Sequence, residues 1–130
     1  MKILFVCVEN AGRSQIAEGF AKALAPEGTE IFSAGSTPAK SLNPTVLEAM
    51  WERGIDIHDQ KPKGFDVLPE GSFDLVVGMG CGDACPVTRA KRVLSWEIQN
   101  PKGQSIEAVR QIRDQIETHV QKLFSEFKER

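Results

Sequence analysis

The sequence is short of several things, and each shortage excludes a class of function. It has no apolar run long enough to cross a bilayer: the opening stretch Met1 to Val8 is far below the ~20 residues a helical span needs. No small-residue cleavage site follows it, so it reads as a buried strand of a cytoplasmic protein rather than a signal peptide. Charge of one sign is also missing. Lys and Arg number 16 against 18 Asp and Glu, a formal net charge of −2, which gives neither nucleic acid nor an anionic membrane surface a reason to bind. Histidine is scarce: His58 and His119 are the only two, and neither has ligand-motif spacing. A zinc ion needs about four ligands, so no metal is expected. Cysteines number three, an odd count that argues against a disulfide framework and for free, reactive thiols. Internal repeats, low-complexity tracts and linkers are absent.

What remains is an ordinary globular balance, 41% apolar and 26% charged, in a chain sized for one compact domain over residues 1–130 and read as a monomer. Lys2 to Val8 is the first strand. Ile16, Ala17, Phe20, Ala21 and Leu24 recur at helical spacing behind it, and Pro26 and Gly28 end that helix. Glu30 to Ser33 reads as a second strand and Ala34 to Leu42 as a loop. Asn43-Pro44 is a helix start, with Asn to cap the exposed amides and Pro in the first turn. Gly54 is the matching stop, and Val46, Leu47, Met50 and Trp51 form the expected buried stripe. Phe73 to Met79 is nearly all apolar, as in a parallel strand covered on both faces, and Lys91 to Ser95 is a weaker strand. Ile106, Val109, Ile112, Ile116, Val120, Leu123 and Phe127 mark a long amphipathic helix. Alternation of strand and helix predicts an α/β fold: a three-layer, doubly wound parallel sheet of about four strands with helices on both faces.

The chemistry concentrates in Cys7-Val8-Glu9-Asn10-Ala11-Gly12-Arg13-Ser14, between the first strand and the first helix. Ligands bind at the carboxyl ends of strands in such sheets, and a helix start offers unpaired amides and a positive dipole end to an anion. The Arg13 fork suits two oxygens of a tetrahedral oxyanion, which Lys cannot imitate. The same field favours a thiolate at Cys7, and Ser14 is placed to donate its hydroxyl to the sulfur. Asn10 tolerates left-handed backbone and bonds loop groups, which gives it a shaping role. The competing reading makes Cys7 a buried strand-end residue and Arg13 a surface charge.

A second thiol pair, Cys81 and Cys85, follows the third strand in the run Gly80-Cys81-Gly82-Asp83-Ala84-Cys85-Pro86. A cysteine pair can supply two electrons by forming a disulfide. Two small apolar loop residues, or part of a metal site, are the alternatives.

The run Cys7 to Gly19, followed by Phe32-Ser33-Ala34-Gly35 and then Asn43-Pro44, resembles the low-molecular-weight protein tyrosine phosphatase superfamily. It is closer to the thiol-dependent arsenate reductase branch, over nearly the whole chain. That resemblance implies the matching single-domain fold and an arsenical-detoxifying enzyme that reduces arsenate to arsenite without a tightly bound cofactor. It also implies a relay in which Cys7 attacks arsenate, a loop thiol releases arsenite, and the last thiol passes the disulfide to an external reductant. We assign Cys81 as the first resolving thiol and Cys85 as the second. Thioredoxin is the expected donor, with glutathione and glutaredoxin as the alternative. The rival readings are a phosphatase working through a phosphocysteine at Cys7, and a non-enzymatic oxyanion or metalloid-binding module.

Two departures from the family pattern stand out. Relatives carry Asp-Pro before the last helix, the Asp serving as general acid, whereas this chain has Asn100-Pro101, and Asn has no acid proton to give. Some such reductases hold a potassium ion behind the loop through Asn, Glu, Ser and Asp. Asn10, Glu18 and Ser33 match the first three and Lys63 takes the fourth place, where its ammonium can stand in for the ion or simply point into water.

Overall fold

The computed structural model describes residues 1–80 and 89–128, without the side chains of residues 127 and 128. Cys81 and Cys85, and the Phe127 side chain, lie outside the described residues. Four parallel strands form one sheet: β1 (Lys2–Cys7), β2 (Glu30–Gly35), β3 (Leu75–Gly78) and β4 (Val93–Ser95), in the order β2-β1-β3-β4. The helices are α1 (Arg13–Leu24), α2 (Pro44–Glu52) and α3 (Ile106–Lys128), with a 3-10 turn at Phe65–Val67.

Alternation along β1 splits the core in two, because successive side chains of a strand point to opposite faces. Ile3, Phe5 and Cys7 join the larger cluster with Ile16 and Phe20 of α1, Val46 and Met50 of α2, and Val109, Ile112 and Ile116 of α3. Leu4 and Val6 face the other way, against Phe73 and Val76, with Phe65 and Leu68 of the 3-10 turn packed alongside. All five residues from Ile3 to Cys7 are buried, as the apolar run requires of a central parallel strand.

The helix start at Asn43 is as expected: its side chain accepts from the Thr45 amide at 2.9 Å, with Pro44 in the first turn. Two described residues of the expected apolar stripes are exposed. Trp51 is 68% exposed, because the inward face of α2 is Val46, Ala49 and Met50 at i, i+3 and i+4, and Trp51 lies a further 100° round. Leu24, in the last turn of α1, is 40% exposed and borders a surface groove beside Phe124. In α3, Phe124 is buried along with Val109, Ile112, Ile116, Val120 and Leu123, and Ile106 is half-buried.

Ion pairs clasp α2 to α3. Glu52 accepts from Arg110 and Arg113, and Arg113 also donates to the Ala49 carbonyl at 2.9 Å. The Arg110 bond holds the Glu52 carboxyl below its ordinary range. No helix among the described residues is long and apolar enough to cross a membrane.

Ile116 sits at the centre of the larger cluster, fully buried. Ile116→Ala should therefore lower unfolding stability by about 2–5 kcal/mol through lost transfer and cavity terms. A urea titration should show a lower midpoint with an unchanged slope; an unchanged midpoint would mean that this layer is not the core.

Candidate active site

Strand β1 is central, and it ends at Cys7. The chain leaving β1 passes through α1 to β2 on one side, whereas the chain leaving β3 goes on to β4 on the other. The connections diverge at the carboxyl ends of β1 and β3, which opens the crevice where ligands bind in sheets of this kind. Residues Val8 to Gly12 fill it, and α1 begins at Arg13 with no side-chain cap on its first turn.

The loop is turned amide-side inward. The carbonyls of Cys7, Val8, Glu9 and Ala11 accept from the amides of Ser36, Thr37, Ala39 and Asn43, at 3.3, 2.8, 2.9 and 3.0 Å. The amides from Glu9 to Ser14 have no acceptor among the described residues. The segment after β2 thus takes up the loop's acceptors and leaves its donors for an anion. Gly35 permits that close approach: a Cβ there would lie 2.5 Å from the Val8 oxygen and 2.8 Å from the Asn10 nitrogen.

Hydrogen-bond polarity can be followed from Lys63 as far as Ser14. Asn10, at φ 52° in the left-handed region, has its side-chain oxygen 3.0 Å from the Lys63 amide nitrogen. A backbone N–H can only donate, so the Asn10 atom facing it is Oδ1, and this fixes the amide orientation that coordinates alone leave open. Nδ2 must then face Ser14, 2.7 Å from Oγ. Ser14 Oγ, which accepts from Asn10, is also hydrogen-bonded to Cys7 Sγ, 2.8 Å away, and either atom can be the donor. With Ser14 as donor the sulfur is an acceptor, the arrangement that a thiolate nucleophile requires. Gln15 reinforces the loop by donating to the Asn10 backbone and side-chain oxygens, both at 3.0 Å, and Gln60 donates to Gln15 at 2.6 Å.

Cys7, Glu9, Ala11, Gly12 and Arg13 form the floor of a cleft of about 340 Å³. Leu42 and Asn43 line one wall, and Asn100, Pro101 and Lys102 the other. Asn100 Oδ1 accepts from the Lys102 amide at 3.1 Å, and the Lys102 ammonium pairs with Glu9 at 2.9 Å across the mouth. Glu97, the carboxylate nearest Asn100 in sequence, is exposed and does not line the cleft. Behind the loop, buried Glu18 accepts from Ser33 and Lys22, and the Lys63 ammonium lies 3.0 Å from Ser33 Oγ and 3.5 Å from Glu18. Lys63 therefore turns inward onto the matched Glu and Ser rather than into water. His58 pairs with Asp56 at the surface and His119 stacks on Trp96.

Sequence reading placed Cys7, Asn10, Arg13, Ser14 and Asn100 at the cleft and around its floor. It had no signal for Gln60, the Lys63 amide, Lys102 or the wall at Leu42 and Asn43, because they act through backbone groups or lie in segments read only as loops.

The profile of the low molecular weight phosphotyrosine protein phosphatase family matches residues 2–130. The glutaredoxin arsenate reductase of Synechocystis sp. is 34% identical over 127 residues, covering 95% of this chain and 96% of that protein. An arsenate reductase solved in its phosphate-binding state is 35% identical with a TM-score of 0.86, over 96% of this chain and 97% of that one. The thioredoxin-dependent arsenate reductase of Corynebacterium glutamicum is 37% identical with a TM-score of 0.78. The match covers 98% of this chain and 61% of the Corynebacterium chain.

The Ser14 bond is the last step of this chain, and its donation to an attacking thiolate would be worth about 1.5–3 kcal/mol. Ser14→Ala should slow alkylation of Cys7 by iodoacetamide at neutral pH by about tenfold or more, with Asn10→Ala slower than native too. Native rates in both variants would show that the sulfur does not depend on this chain.

Proposed function

Since the chain belongs to the low molecular weight phosphotyrosine protein phosphatase family, we propose that it is an arsenate reductase that converts arsenate to arsenite at Cys7. The observation that carries this reading is the hydrogen-bonded chain from the Lys63 amide through Asn10 and Ser14 to the Cys7 sulfur, at the floor of a cleft that Arg13 also lines.

The steps derive from that geometry. Arsenate enters the loop, its oxygens taking the free amides and the Arg13 fork. The Cys7 sulfur attacks arsenic and an arsenate oxygen leaves as water after protonation, giving a thiol adduct that is still As(V). Cys81 then attacks the Cys7 sulfur. The sulfur–arsenic bond breaks, its electron pair goes to arsenic, and arsenite leaves with a Cys7–Cys81 disulfide behind it. The two electrons come from the two thiols. Cys85 attacks Cys81, which frees Cys7 and leaves a Cys81–Cys85 disulfide for an external thiol reductant. Among the similar proteins one is named for glutaredoxin and another for thioredoxin. We favour thioredoxin, because a chain with its own third thiol ends each turnover on an internal disulfide suited to a dithiol donor.

The phosphatase rival shares the attack by Cys7, but that step must expel an ester oxygen, and water rather than a thiol then resolves the phosphocysteine. The departing ester oxygen needs a proton, and Asn100 stands on the cleft wall where an acid would serve.

Cys7→Ser should abolish reduction, since a serine hydroxyl without a base is a poor nucleophile at neutral pH. Cys81→Ser and Cys85→Ser should each stop multiple turnover while sparing attack by Cys7. NADPH oxidation coupled through thioredoxin measures turnover, and mass spectrometry of the Cys85→Ser protein after one turnover should find a Cys7–Cys81 link. Full turnover without either loop thiol would overturn the relay.

Asn100→Asp keeps the oxygen that accepts from the Lys102 amide and adds an ionisable proton. Hydrolysis of para-nitrophenyl phosphate should be slow in the native protein and rise about a hundredfold in the variant, while arsenate reduction changes little. Brisk native hydrolysis with an acidic limb would mean that another residue supplies the proton and that the phosphatase reading stands.

A further inference from the structure

Arg13 is only 8% exposed and lines the cleft beside Cys7, yet among the described residues just one of its nitrogens has an acceptor: Nη1 donates to the Ile98 carbonyl at 3.2 Å. Nε and Nη2 have no acceptor among the described residues. Behind the guanidinium lies Gly80, at φ +93°. A Cβ there would stand 2.5 Å from Nη1, 3.3 Å from Cζ and 3.6 Å from Nη2. The guanidinium thus rests on bare backbone just past β3, with one nitrogen tied and its two-donor edge without an acceptor among the described residues.

We infer that Gly80 and the Ile98 carbonyl form a backstop that aims the Arg13 fork at the oxyanion, which makes Gly80 a positioning residue for substrate binding. The inference rests on the reading that this loop binds a tetrahedral oxyanion. An arginine side chain has four rotatable bonds and loses its aim unless packing holds it. Two parallel hydrogen bonds to an oxyanion demand that aim. Any side chain at position 80 would occupy the volume of Nη1. The guanidinium is the movable partner in that clash, so a substitution would displace the fork before it disturbed the sheet. Gly80 also directly precedes Cys81 in sequence, so the segment carrying the resolving thiols starts from the residue on which the clamp rests.

A substitution at Gly80 carries two effects that must be separated: backbone strain at positive φ, and the clash with Arg13. Gly71 separates them. Its φ is +99° and a Cβ there would meet nothing within 4 Å, so Gly71→Ala reports strain alone. The readout is the affinity for inorganic phosphate, followed by NMR titration, which requires no reduction step. Gly80→Ala should weaken phosphate binding about tenfold to a hundredfold, the scale on which a misplacement near 1 Å is felt. Gly71→Ala should change it less than twofold. In an Arg13→Lys background, where no atom takes the place of Nη1, Gly80→Ala should cost less than twofold, because the residue acts through the fork. Native affinity in Gly80→Ala, an equal loss in Gly71→Ala, or a full additional loss in the Arg13→Lys background would each overturn the inference. A native protein that binds no phosphate at all would overturn the oxyanion reading and this inference with it.

Discussion

The hydrogen bond from the Lys63 amide to Asn10 sets the polarity of the groups that lead to Cys7. A main-chain N–H has one role, so Asn10 must present its oxygen there and its nitrogen to Ser14, whose hydroxyl is bonded in turn to the sulfur. Asn10 cannot reverse without leaving a buried donor facing the Lys63 N–H, which costs about 1–3 kcal/mol. Ser14 is therefore held at the Cys7 sulfur in advance, and the loop spends no reorganisation on placing it there.

That bond holds because the segment carrying Lys63 is itself fixed. Its carbonyl accepts from the Gly35 amide at 2.9 Å, and its ammonium reaches Ser33 and Glu18. Buried Glu18 is balanced by Lys22 and Lys63, so the charge beneath the loop is compensated rather than left to repel an incoming oxyanion. On the solvent side Lys102 does the same for Glu9, the loop carboxylate at the cleft. Both negative groups around the floor have cations at hand, and the unpaired amides and Arg13 set the sign of the site.

The two chemistries available to a cysteine and an arginine in such a loop share the attack by sulfur and differ in what leaves and in what resolves the adduct. Hydrolysis of an ester needs a proton for the leaving oxygen, and the cleft wall offers an amide at Asn100, already engaged as acceptor to Lys102. Reduction needs a second sulfur. Strand β3 pairs with β1 up to Gly78 beside Val6, and the chain then reaches Gly80 against the Arg13 guanidinium. The sequence that carries Cys81 and Cys85 therefore departs from the edge of the anion site.

Much of this molecule was legible in one dimension. The strand, loop and first helix are contiguous, so apolar run, Gly12, Arg13 and the helical period determined both the local structure and the groups offered to an anion, and Asn43-Pro44 determined where α2 begins. Periodicity misjudged Trp51 because a stripe read from spacing has no edge until a neighbour defines it, and the face of α2 turned to the core is that of Val46, Ala49 and Met50. Tertiary structure alone decided which donors orient Asn10, what Arg13 leans on and where Lys63 points. Those partners lie 53 residues away at Lys63 and 85 at Ile98, and they act through main-chain N–H and C=O groups that every residue possesses. Side-chain identity carries no record of such a group's direction; only the order in which parallel strands are laid side by side creates it.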